Sequence, residues 1–183
     1  MAALRRCIAI IGDSTIVSGS AAEQRSERLG MLLVDAGYRL VTGGSGGIME
    51  AACRGAHASP NHHPGAVIGL LPGDDTSAAN RYVDVAIATR LGHLRNALVA
   101  SSDAVIALGG GAGTLAEMAF AWIFDKLLLA FRLEGWSGRL ADTRIDQRTR
   151  FARIPDDRVY GVDTPEQAIA VLQAQLPRYL APR

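Results

Sequence analysis

The sequence predicts an α/β fold, with an open and mainly parallel β-sheet covered by helices on both faces. Short apolar runs alternate along the chain with segments of helical periodicity, as residues 7–11 and 20–36 do at the start. The runs are apolar at nearly every position, which is typical of strands buried on both faces of a parallel sheet. Two of them lead into glycine-rich loops that open helices, as βα connections do in such sheets.

The individual elements follow from these patterns. Apolar runs predict strands, and apolar residues at helical spacing, such as Leu29, Leu32 and Leu33, predict helices. Gly37 marks a helix end, and Pro165 a first helical turn. The predicted order is strand 7–11, helix 20–36, strand 38–42, a helix from 48, strand 66–71, strand 83–87, helix 95–101, strand 104–106, a helix through 118–122, strand 127–131, strand 158–162 and helix 165–176.

Composition and charge limit the class of protein. A chain of 183 residues, 49% hydrophobic and 20% charged, predicts a single domain over residues 1–183. A net charge of +1, with 19 Lys and Arg residues spread along the chain, provides no field that would attract nucleic acid or anionic lipid. We therefore expect a small-molecule partner, with no nucleic acid and no membrane.

The sequence also predicts a cytoplasmic protein. No stretch approaches the ~20 apolar residues that cross a bilayer, and the N-terminus enters a strand without a signal-type hydrophobic region. Cys7 and Cys53 are too far apart to form a metal-ligand motif. We interpret both as small core residues in a reducing compartment.

The most informative stretch is the glycine-rich segment 107–117, which follows an apolar run and precedes a helix. Its glycines are Gly109, Gly110, Gly111 and Gly113. Such a loop is costly in backbone entropy, which indicates positive φ angles or very close approach to a ligand. A helix N-terminus presents unpaired N–H groups and a partial positive charge, so the expected ligand is a phosphate.

Two polar residues, Thr114 and Glu117, stand at the end of this glycine-rich segment. Thr114 fits an N-cap whose hydroxyl faces the same pocket, and Glu117 has the spacing of a capping box. Glu117 is therefore either a cap or a functional carboxylate, and the sequence leaves both open.

A second glycine loop opens the helix that begins at residue 48. Its glycines are Gly43, Gly44, Gly46 and Gly47. Neither loop has the Lys-Ser/Thr ending of a P-loop or the glycine spacing of a dinucleotide-binding motif. Two strand-loop-helix units nevertheless favour one shared anionic ligand at the carboxyl ends of the strands. The residues that follow the first strand are expected at the same place, and they are Gly12, Asp13 and Ser14.

Residues 132–157 are rich in arginine, poor in apolar periodicity and long for a connection inside a compact domain. We interpret this segment as a lid or a flexible loop. Its cations would either reach a bound phosphate or lie on a solvated surface, and the second alternative is favoured. They are Arg139, Arg144, Arg148, Arg150 and Arg153.

Two groups of polar residues give weaker signals. Three imidazoles, those of His57, His62 and His63, would suit a transition metal, but no carboxylate or cysteine completes the set. A polar surface loop is therefore favoured, and no metal site is predicted. Asp74 and Asp75 follow a Pro-Gly pair and fit either a turn or a divalent ion beside the phosphate.

The segment 110–117, Gly-Gly-Ala-Gly-Thr-Leu-Ala-Glu, resembles the Pro-Gly-Gly-x-Gly-Thr-x-x-Glu signature of the Lonely Guy (lysine-decarboxylase-like, SLOG) Rossmann proteins, which are cytokinin-activating phosphoribohydrolases. The resemblance covers most of the chain, including residues 43–49, and Arg95 stands where the family has a catalytic arginine. It implies a Rossmann-like fold, loops that hold a nucleotide phosphate, and catalytic roles for Arg95 and Glu117. It also implies a homo-oligomer, a dimer or tetramer, and hydrolysis without a cofactor.

The chain departs from this signature at three positions. Gly109 replaces the proline, Ala116 the first acid of a Glu-Glu pair, and Asn96 the lysine after the arginine. In these respects the chain is similar to a sister branch that includes the molybdenum cofactor carrier proteins, with which it shares residues 71–75 and the pair Arg95-Asn96. That branch implies that a pterin-phosphate cofactor is held and not turned over.

Two functions follow from the sequence. The first is binding of a phosphorylated small molecule, a nucleotide or a molybdopterin-type cofactor, at the two glycine loops. The alternative is hydrolysis of the N-glycosidic bond of nucleoside 5′-monophosphates, in which Glu117 stabilises the ribose cation or activates water and Arg95 fixes the phosphate or the base edge. His93 either contacts the ligand or lies on the surface. The helix through residues 118–124 is apolar nearly all round, so it is deeply buried or partly a subunit contact.

Overall fold

The computed structural model describes residues 5–181, and both ends of the predicted 1–183 domain lie outside the described part. Within that part, the strands are β1 (Cys7–Gly12), β2 (Arg39–Thr42), β3 (Val67–Leu71), β4 (Val85–Ala88), β5 (Ala104–Leu108), β6 (Leu127–Phe131) and β7 (Tyr160–Val162). The helices are α1 (Ala21–Asp35), α2 (Ile48–Ala58), α3 (Asn96–Ala100), α4 (Ala112–Ile123), α5 (Trp136–Leu140) and α6 (Pro165–Leu180).

The strands form one parallel sheet in the order β4-β3-β2-β1-β5-β6-β7. The chain moves outward from β1 to β4 on one side and from β5 to β7 on the other, so the strand order reverses between β1 and β5. These two strands pair to their carboxyl ends, where Gly12 faces Leu108. In open α/β sheets a crevice forms at that reversal, and ligands bind in it.

Successive residues of the central strands point to opposite faces of the sheet, and both faces are covered. Ile8 and Ile10 of β1 belong to one buried apolar cluster, and Ala9 and Ile11 to another. All four side chains are at most 1% exposed. The predicted α/β class, with a parallel sheet between two helical layers, is therefore confirmed.

Helices α1 and α2 pack on the same face at unusually close range. Gly30 of α1 lies against the carbonyl of Ala52, and Gly55 of α2 lies against the carbonyl of Glu27. A methyl group at either glycine would overlap the facing backbone oxygen. The absence of side chains at these two positions therefore sets the distance between the helices, and with it the position of the start of α2.

Several element boundaries differ from the prediction. The helix expected over 95–101 is a 3-10 turn at Gly92–Arg95 followed by the short α3, and α6 continues to Leu180 instead of ending at 176. At the sheet edge, β4 covers only Val85–Ala88, and its Val85 and Ile87 are 42% and 46% exposed. The apolar run of β4 resembles that of a central strand, but β4 is an edge strand that pairs only with β3.

Buried charge holds the last part of residues 132–157 to the fold, whereas residues 142–149 form turns and bends that are mostly exposed. The Arg150 guanidinium pairs with the Asp157 carboxylate at 2.5 and 2.8 Å, and their side chains are 0% and 2% exposed. The Tyr179 hydroxyl donates to the same carboxylate, and the Trp122 ring lies 3.7 Å from the guanidinium. For Arg150 the favoured alternative of a solvated surface was wrong, because a planar guanidinium group can be buried when every donor finds a partner. Arg139, Arg144, Arg148 and Arg153 are exposed, as that alternative expected.

The other arginines of this segment also make contacts within the protein. Arg148 donates to the carbonyl of Trp122, Arg144 donates to the carbonyl of Arg148, and Arg153 reaches two carbonyls at the end of α6. Arg139 lies over the ring of Trp136. None of these five arginines lines the crevice between β1 and β5, so the prediction that they reach its ligand is not supported by their positions.

The cysteines and the apolar helix are placed largely as expected. Cys53 is fully buried and Cys7 is half-buried, and burial raises the pKa of the Cys53 thiol to about 11. In α4, Met118 and Trp122 are buried, whereas Ile123 is 54% exposed.

Among residues 5–181, no helix has the length and apolar character needed to cross a bilayer.

Candidate functional site

A cleft of about 310 Å³ opens at the carboxyl ends of β1 and β5, where the strand order reverses. Most of the site residues that the sequence predicts line this cleft. Two further lining residues are Met49, which was not predicted, and His93, which the sequence left open. The lining residues are Gly12, Asp13, Ser14, Met49, His93, Arg95, Asn96, Gly111, Gly113, Thr114 and Glu117. The position of the cleft follows from the topology of the sheet, since both strands end there.

The start of α4 forms one wall of the cleft. The helix begins at Ala112 with Gly111 as its N-cap, and the carbonyl of Gly111 accepts the N–H of Leu115. The prediction that Thr114 caps this helix is therefore wrong: Thr114 lies inside the first turn and is 4% exposed. The first N–H groups of a helix have no intrahelical acceptor, and at this end they carry the positive side of the helix dipole.

The four glycines of this loop divide into two pairs. Gly111 and Gly113 are exposed and line the cleft, whereas Gly109 and Gly110 are buried beneath it. The N–H of Gly109 donates to the Ser137 hydroxyl at 2.7 Å, and the N–H of Gly110 donates to the Asp13 carboxylate at 2.8 Å. Gly109 and Gly110 therefore position the loop, because their amide groups already have partners within the protein.

Glycine is required at position 110. Its φ is +93°, and a methyl group there would overlap the side chain of Thr114. The Asp13 carboxylate that accepts its N–H comes from the loop after β1. The loops that follow the two central strands are thus fastened to each other at the base of the cleft.

The second glycine loop packs against residues that line the cleft, and its own glycines are not among the lining residues. Gly43 makes room for Arg95, because an added Cβ would lie 2.5 Å from a guanidinium nitrogen. Gly47 has a φ of +63° and lies against the carbonyl of Asp13, to which Ile48 donates its N–H at 2.9 Å. The remaining glycines of the loop, Gly44 and Gly46, are likewise absent from the lining. Direct contact of this loop with a phosphate stays a prediction, and the contacts of Gly43 and Gly47 show a supporting role.

An ion pair between Arg95 and Glu117 spans the cleft. Nη1 of Arg95 donates to a carboxylate oxygen of Glu117 at 2.8 Å, and their side chains are 12% and 8% exposed. Arg95 is placed by the 3-10 turn before α3, and Glu117 by the second turn of α4. Glu117 therefore contacts the arginine across the cleft and does not reach back to cap α4, so the capping interpretation was wrong.

The surroundings of Glu117 change its acidity. Burial raises the pKa of this carboxyl to about 7, although the adjacent Arg95 acts in the opposite direction. Removing a carboxylate from water favours its neutral form, and here that effect exceeds the attraction of the cation. Glu117 consequently changes its protonation state near neutral pH, which is typical of functional sites.

Arg95 has a donor group that the protein does not use. Its Nε is buried and has no hydrogen-bond partner among residues 5–181. A buried N–H without a partner is costly, by about 1–3 kcal/mol, and such groups are rare in folded proteins. Arg95 lines the cleft beside the start of α4, where its guanidinium group adds positive charge.

Asn96 and His93, which the sequence also singled out, line the cleft near Arg95. Asn96 is 4% exposed and donates from its side chain to the carbonyl of Gly113 at 3.4 Å. His93, which the sequence left open, lines the cleft. Met49 was not predicted, since an apolar residue in the first turn of a helix carries no signal for a ligand.

The match to a family model spans residues 5–169 and is described as the SLOG cluster4 family. The chain belongs to the SLOG cluster4 family. This agrees with the resemblance of the glycine signature to the SLOG proteins, because the matched region contains both glycine loops, Arg95 and Glu117.

Several known proteins are similar to this SLOG cluster4 protein. An uncharacterized protein of Archaeoglobus fulgidus is 42% identical over 95 residues, which is 51% of this chain and 60% of that protein's own length. The solved molybdenum cofactor binding protein of Rippkaea orientalis is 30% identical, with a TM-score of 0.74, over 93% of this chain and 97% of that one. The molybdenum cofactor carrier protein of Chlamydomonas reinhardtii is 28% identical, with a TM-score of 0.75, over 95% and 99%.

The weaker signals of the sequence lie away from the cleft. Asp75 accepts hydrogen bonds from the N–H and hydroxyl of Ser77 and caps a short 3-10 turn, which supports the turn interpretation. Asp74 is exposed and does not line the cleft. The expectation that no carboxylate completes the histidine group was wrong, because Asp84 lies within 3.2 Å of both His57 and His62. Asp84 is 22 residues beyond His62, so its position in the chain gave no sign of this contact.

Proposed function

We propose that this SLOG cluster4 protein binds a phosphorylated small molecule in the cleft, with the phosphate at the start of α4 and beside Arg95. Two of the similar solved proteins are described as binding or carrying the molybdenum cofactor. A molybdopterin-type cofactor is therefore the first candidate for the ligand, and a nucleotide is the second. Glycine loops hold phosphate through backbone groups, so they suit either molecule.

The lining of one cleft by both Arg95 and the start of α4 is the observation that carries this proposal. Gly43 leaves the space that the guanidinium occupies, and Glu117 holds one of its nitrogens. An anionic oxygen in the cleft would lie beside the guanidinium group of Arg95 and the positive end of α4. The donors suit the phosphate end of a molybdopterin-type cofactor. Asn96 and His93 offer polar groups to its organic part.

We expect Arg95→Ala to weaken binding by about 1.5–3 kcal/mol, the range for a hydrogen bond to a charged group. This corresponds to a roughly 10- to 150-fold rise in Kd. The measurements are calorimetric titration with AMP and, separately, retention of added molybdenum cofactor after gel filtration, with molybdenum counted by mass spectrometry.

The matched control is Arg28→Ala, which removes an exposed arginine of α1 that pairs with Glu166 away from the cleft. It should bind both ligands as the wild type does. Equal affinities of wild type and Arg95→Ala for every ligand that binds would remove Arg95 from the site. Retention of cofactor but not of AMP would favour the carrier function.

A second function, hydrolysis of nucleoside 5′-monophosphates, is supported by the pKa of Glu117. A carboxyl with a pKa of about 7 is suited to transfer protons at neutral pH. Cleavage of the N-glycosidic bond places positive charge on the ribose, and a carboxylate in this cleft would stabilise that charge or activate water. Arg95 would hold the substrate phosphate.

If the protein is a hydrolase, Glu117→Gln should lower the rate of base release by roughly 100-fold or more, since a positioned acid or base contributes at least that factor. Free base is measured by chromatography after incubation with AMP or isopentenyl-adenosine monophosphate. Unchanged release in the variant would deny Glu117 this role. Absence of release from the folded wild type would reject hydrolysis of these substrates and leave the binding function.

We further propose that the protein is a cytoplasmic homo-oligomer, as the sequence and its resemblance imply. Three large apolar side chains are exposed: Leu94 by 70% in the 3-10 turn before α3, Leu98 by 42% in α3 and Ile123 by 54% in α4. Apolar surfaces of this kind commonly mark contacts between proteins. Their position supports a subunit contact through α3 and α4.

A further inference from the structure

Two histidines and an aspartate meet at the edge of the sheet opposite the cleft. His57 is in the last turn of α2, His62 is in the turn that follows, and Asp84 directly precedes β4. Nε2 of His57 lies 3.2 Å from one carboxylate oxygen of Asp84, and Nε2 of His62 lies 3.2 Å from the other. In residues 5–181, these side chains form the one group of at least three His, Cys, Asp or Glu residues whose ligand atoms lie within 4.8 Å of one another.

The backbone holds this group in place. The N–H of Val67, the first residue of β3, donates to the Asp84 carboxylate at 2.9 Å, and the N–H of Asp84 donates to the carbonyl of Val67. The N–H of His62 donates to the carbonyl of Ser59, and the rings of His57 and His62 lie 4.0 Å apart. The fold therefore brings the three side chains together without needing an ion to assemble them.

The distances fit a shared metal ion as well as they fit hydrogen bonds. A tetrahedral zinc ion with bonds of about 2.0–2.1 Å has its ligand atoms about 3.3–3.4 Å apart. The two nitrogen–oxygen distances of 3.2 Å are close to that separation, and they lie at the long end of the range for N–H···O hydrogen bonds. Imidazole and carboxylate together are ligands that zinc and related divalent ions accept.

The group is accessible to an ion from solution. The side chains of His57 and His62 are 33% and 22% exposed, and that of Asp84 is 12% exposed. His63, the third histidine of the sequence cluster, lies outside the group, and its Nδ1 contacts the carbonyl of Pro64. It offers a natural control, because it is adjacent in sequence and is not one of the three ligands.

We propose that His57, His62 and Asp84 bind a divalent transition-metal ion of the zinc class, with a fourth position open to solvent. The ion would join the end of α2 to the start of β3 and β4. His57 is nine residues from the start of α2, or about 14 Å along the helix axis, so the metal site is separate from the ligand cleft. The ion would stabilise the far end of α2, whose first turn lies beside the cleft.

Equilibrium dialysis of the full chain, prepared without a histidine tag and stripped with a chelator, tests this site. The probe is Zn²⁺, counted by mass spectrometry, with Co²⁺ as a second probe whose visible absorption reports tetrahedral coordination. We expect one bound ion per chain and a higher Tm in the presence of Zn²⁺. His57→Ala should weaken zinc binding by more than the roughly 10- to 100-fold that loss of a residue supporting a metal ligand costs.

Asp84→Asn and His63→Asn complete the design. In Asp84→Asn the side-chain amide oxygen would still accept the N–H of Val67, so this substitution removes the carboxylate charge and keeps the local fold. His63→Asn should bind Zn²⁺ as the wild type does. If Asp84→Asn melts early in the chelator, His57→Ala decides the question, because it removes a side chain that is one-third exposed. Failure of the wild type to bind Zn²⁺ and Co²⁺ at micromolar concentration, or equal binding by His57→Ala, would overturn the proposal.

Discussion

Asp157→Ala should lower the free energy of unfolding by about 3–5 kcal/mol, the range for removing one partner of a buried ion pair. The substitution leaves the Arg150 guanidinium, whose side chain is 0% exposed, without its carboxylate. It also removes the acceptor of the Tyr179 hydroxyl. Since an uncompensated buried charge costs more than the pair contributes, most of the loss is due to the isolated arginine. Chemical denaturation followed by circular dichroism measures the change.

The neighbouring residue provides a matched control. Asp156 pairs with Arg178 at the surface, where their side chains are 45% and 36% exposed. Exposed pairs contribute about 0–1 kcal/mol, so Asp156→Ala should have little effect on stability. If the two variants differ by less than about 1 kcal/mol, the buried pair does not hold the last part of residues 132–157 as described.

Gly55→Ala should destabilise the protein by about 3 kcal/mol, the upper end of the range for overpacking. The added methyl group would overlap the carbonyl of Glu27 on α1, which is backbone and has no rotamer that could move aside. Alanine is the better helix former by about 1 kcal/mol, so propensity alone predicts the opposite sign. Thermal and denaturant unfolding of the variant measure the sign and size of the effect.

A second helical glycine, Gly113, separates the effect of steric overlap from that of helix propensity. Gly113 lies in the first turn of α4, and a methyl group there would meet no atom within 4 Å. Gly113→Ala should therefore raise stability, by about 0.5–1 kcal/mol. A similar gain for Gly55→Ala would contradict the close contact between α1 and α2.

The central strands and glycine loops were predictable because their signals are local. The apolar runs of β1 and β5 and the glycines between Gly109 and Gly113 mark a strand, a turn and a helix in the sequence itself. The position of the cleft then followed from the general topology of parallel sheets. At β4 the same reasoning failed, since Val85 and Ile87 are exposed at a sheet edge, and edge position is not encoded in the run itself.

Contacts between distant residues account for most of what the sequence did not predict. Asp13 and Gly110 are 97 positions apart, and only the pairing of β1 with β5 brings them together. The same holds for Asp84 with the histidines. From the sequence, Arg150 resembled a solvated charge, because its partners are distant in the chain: Asp157 is seven residues later and Trp122 lies in α4. Arg95 and Glu117 were identified by the resemblance of the signature, whereas their ion pair is a result of the fold.

The anchoring of residues 132–157 bears on how fast a ligand would exchange. Buried charge fixes the last part of this segment, and the N–H groups of Trp136 and Ser137 donate to the carbonyls of Gly110 and Gly109 under the cleft. If these contacts persist in solution, a bound molecule would enter and leave without an opening of this segment. The residence time of a bound molecule would then be set by its contacts with the cleft alone, so substitutions in the cleft would act mainly on the dissociation rate.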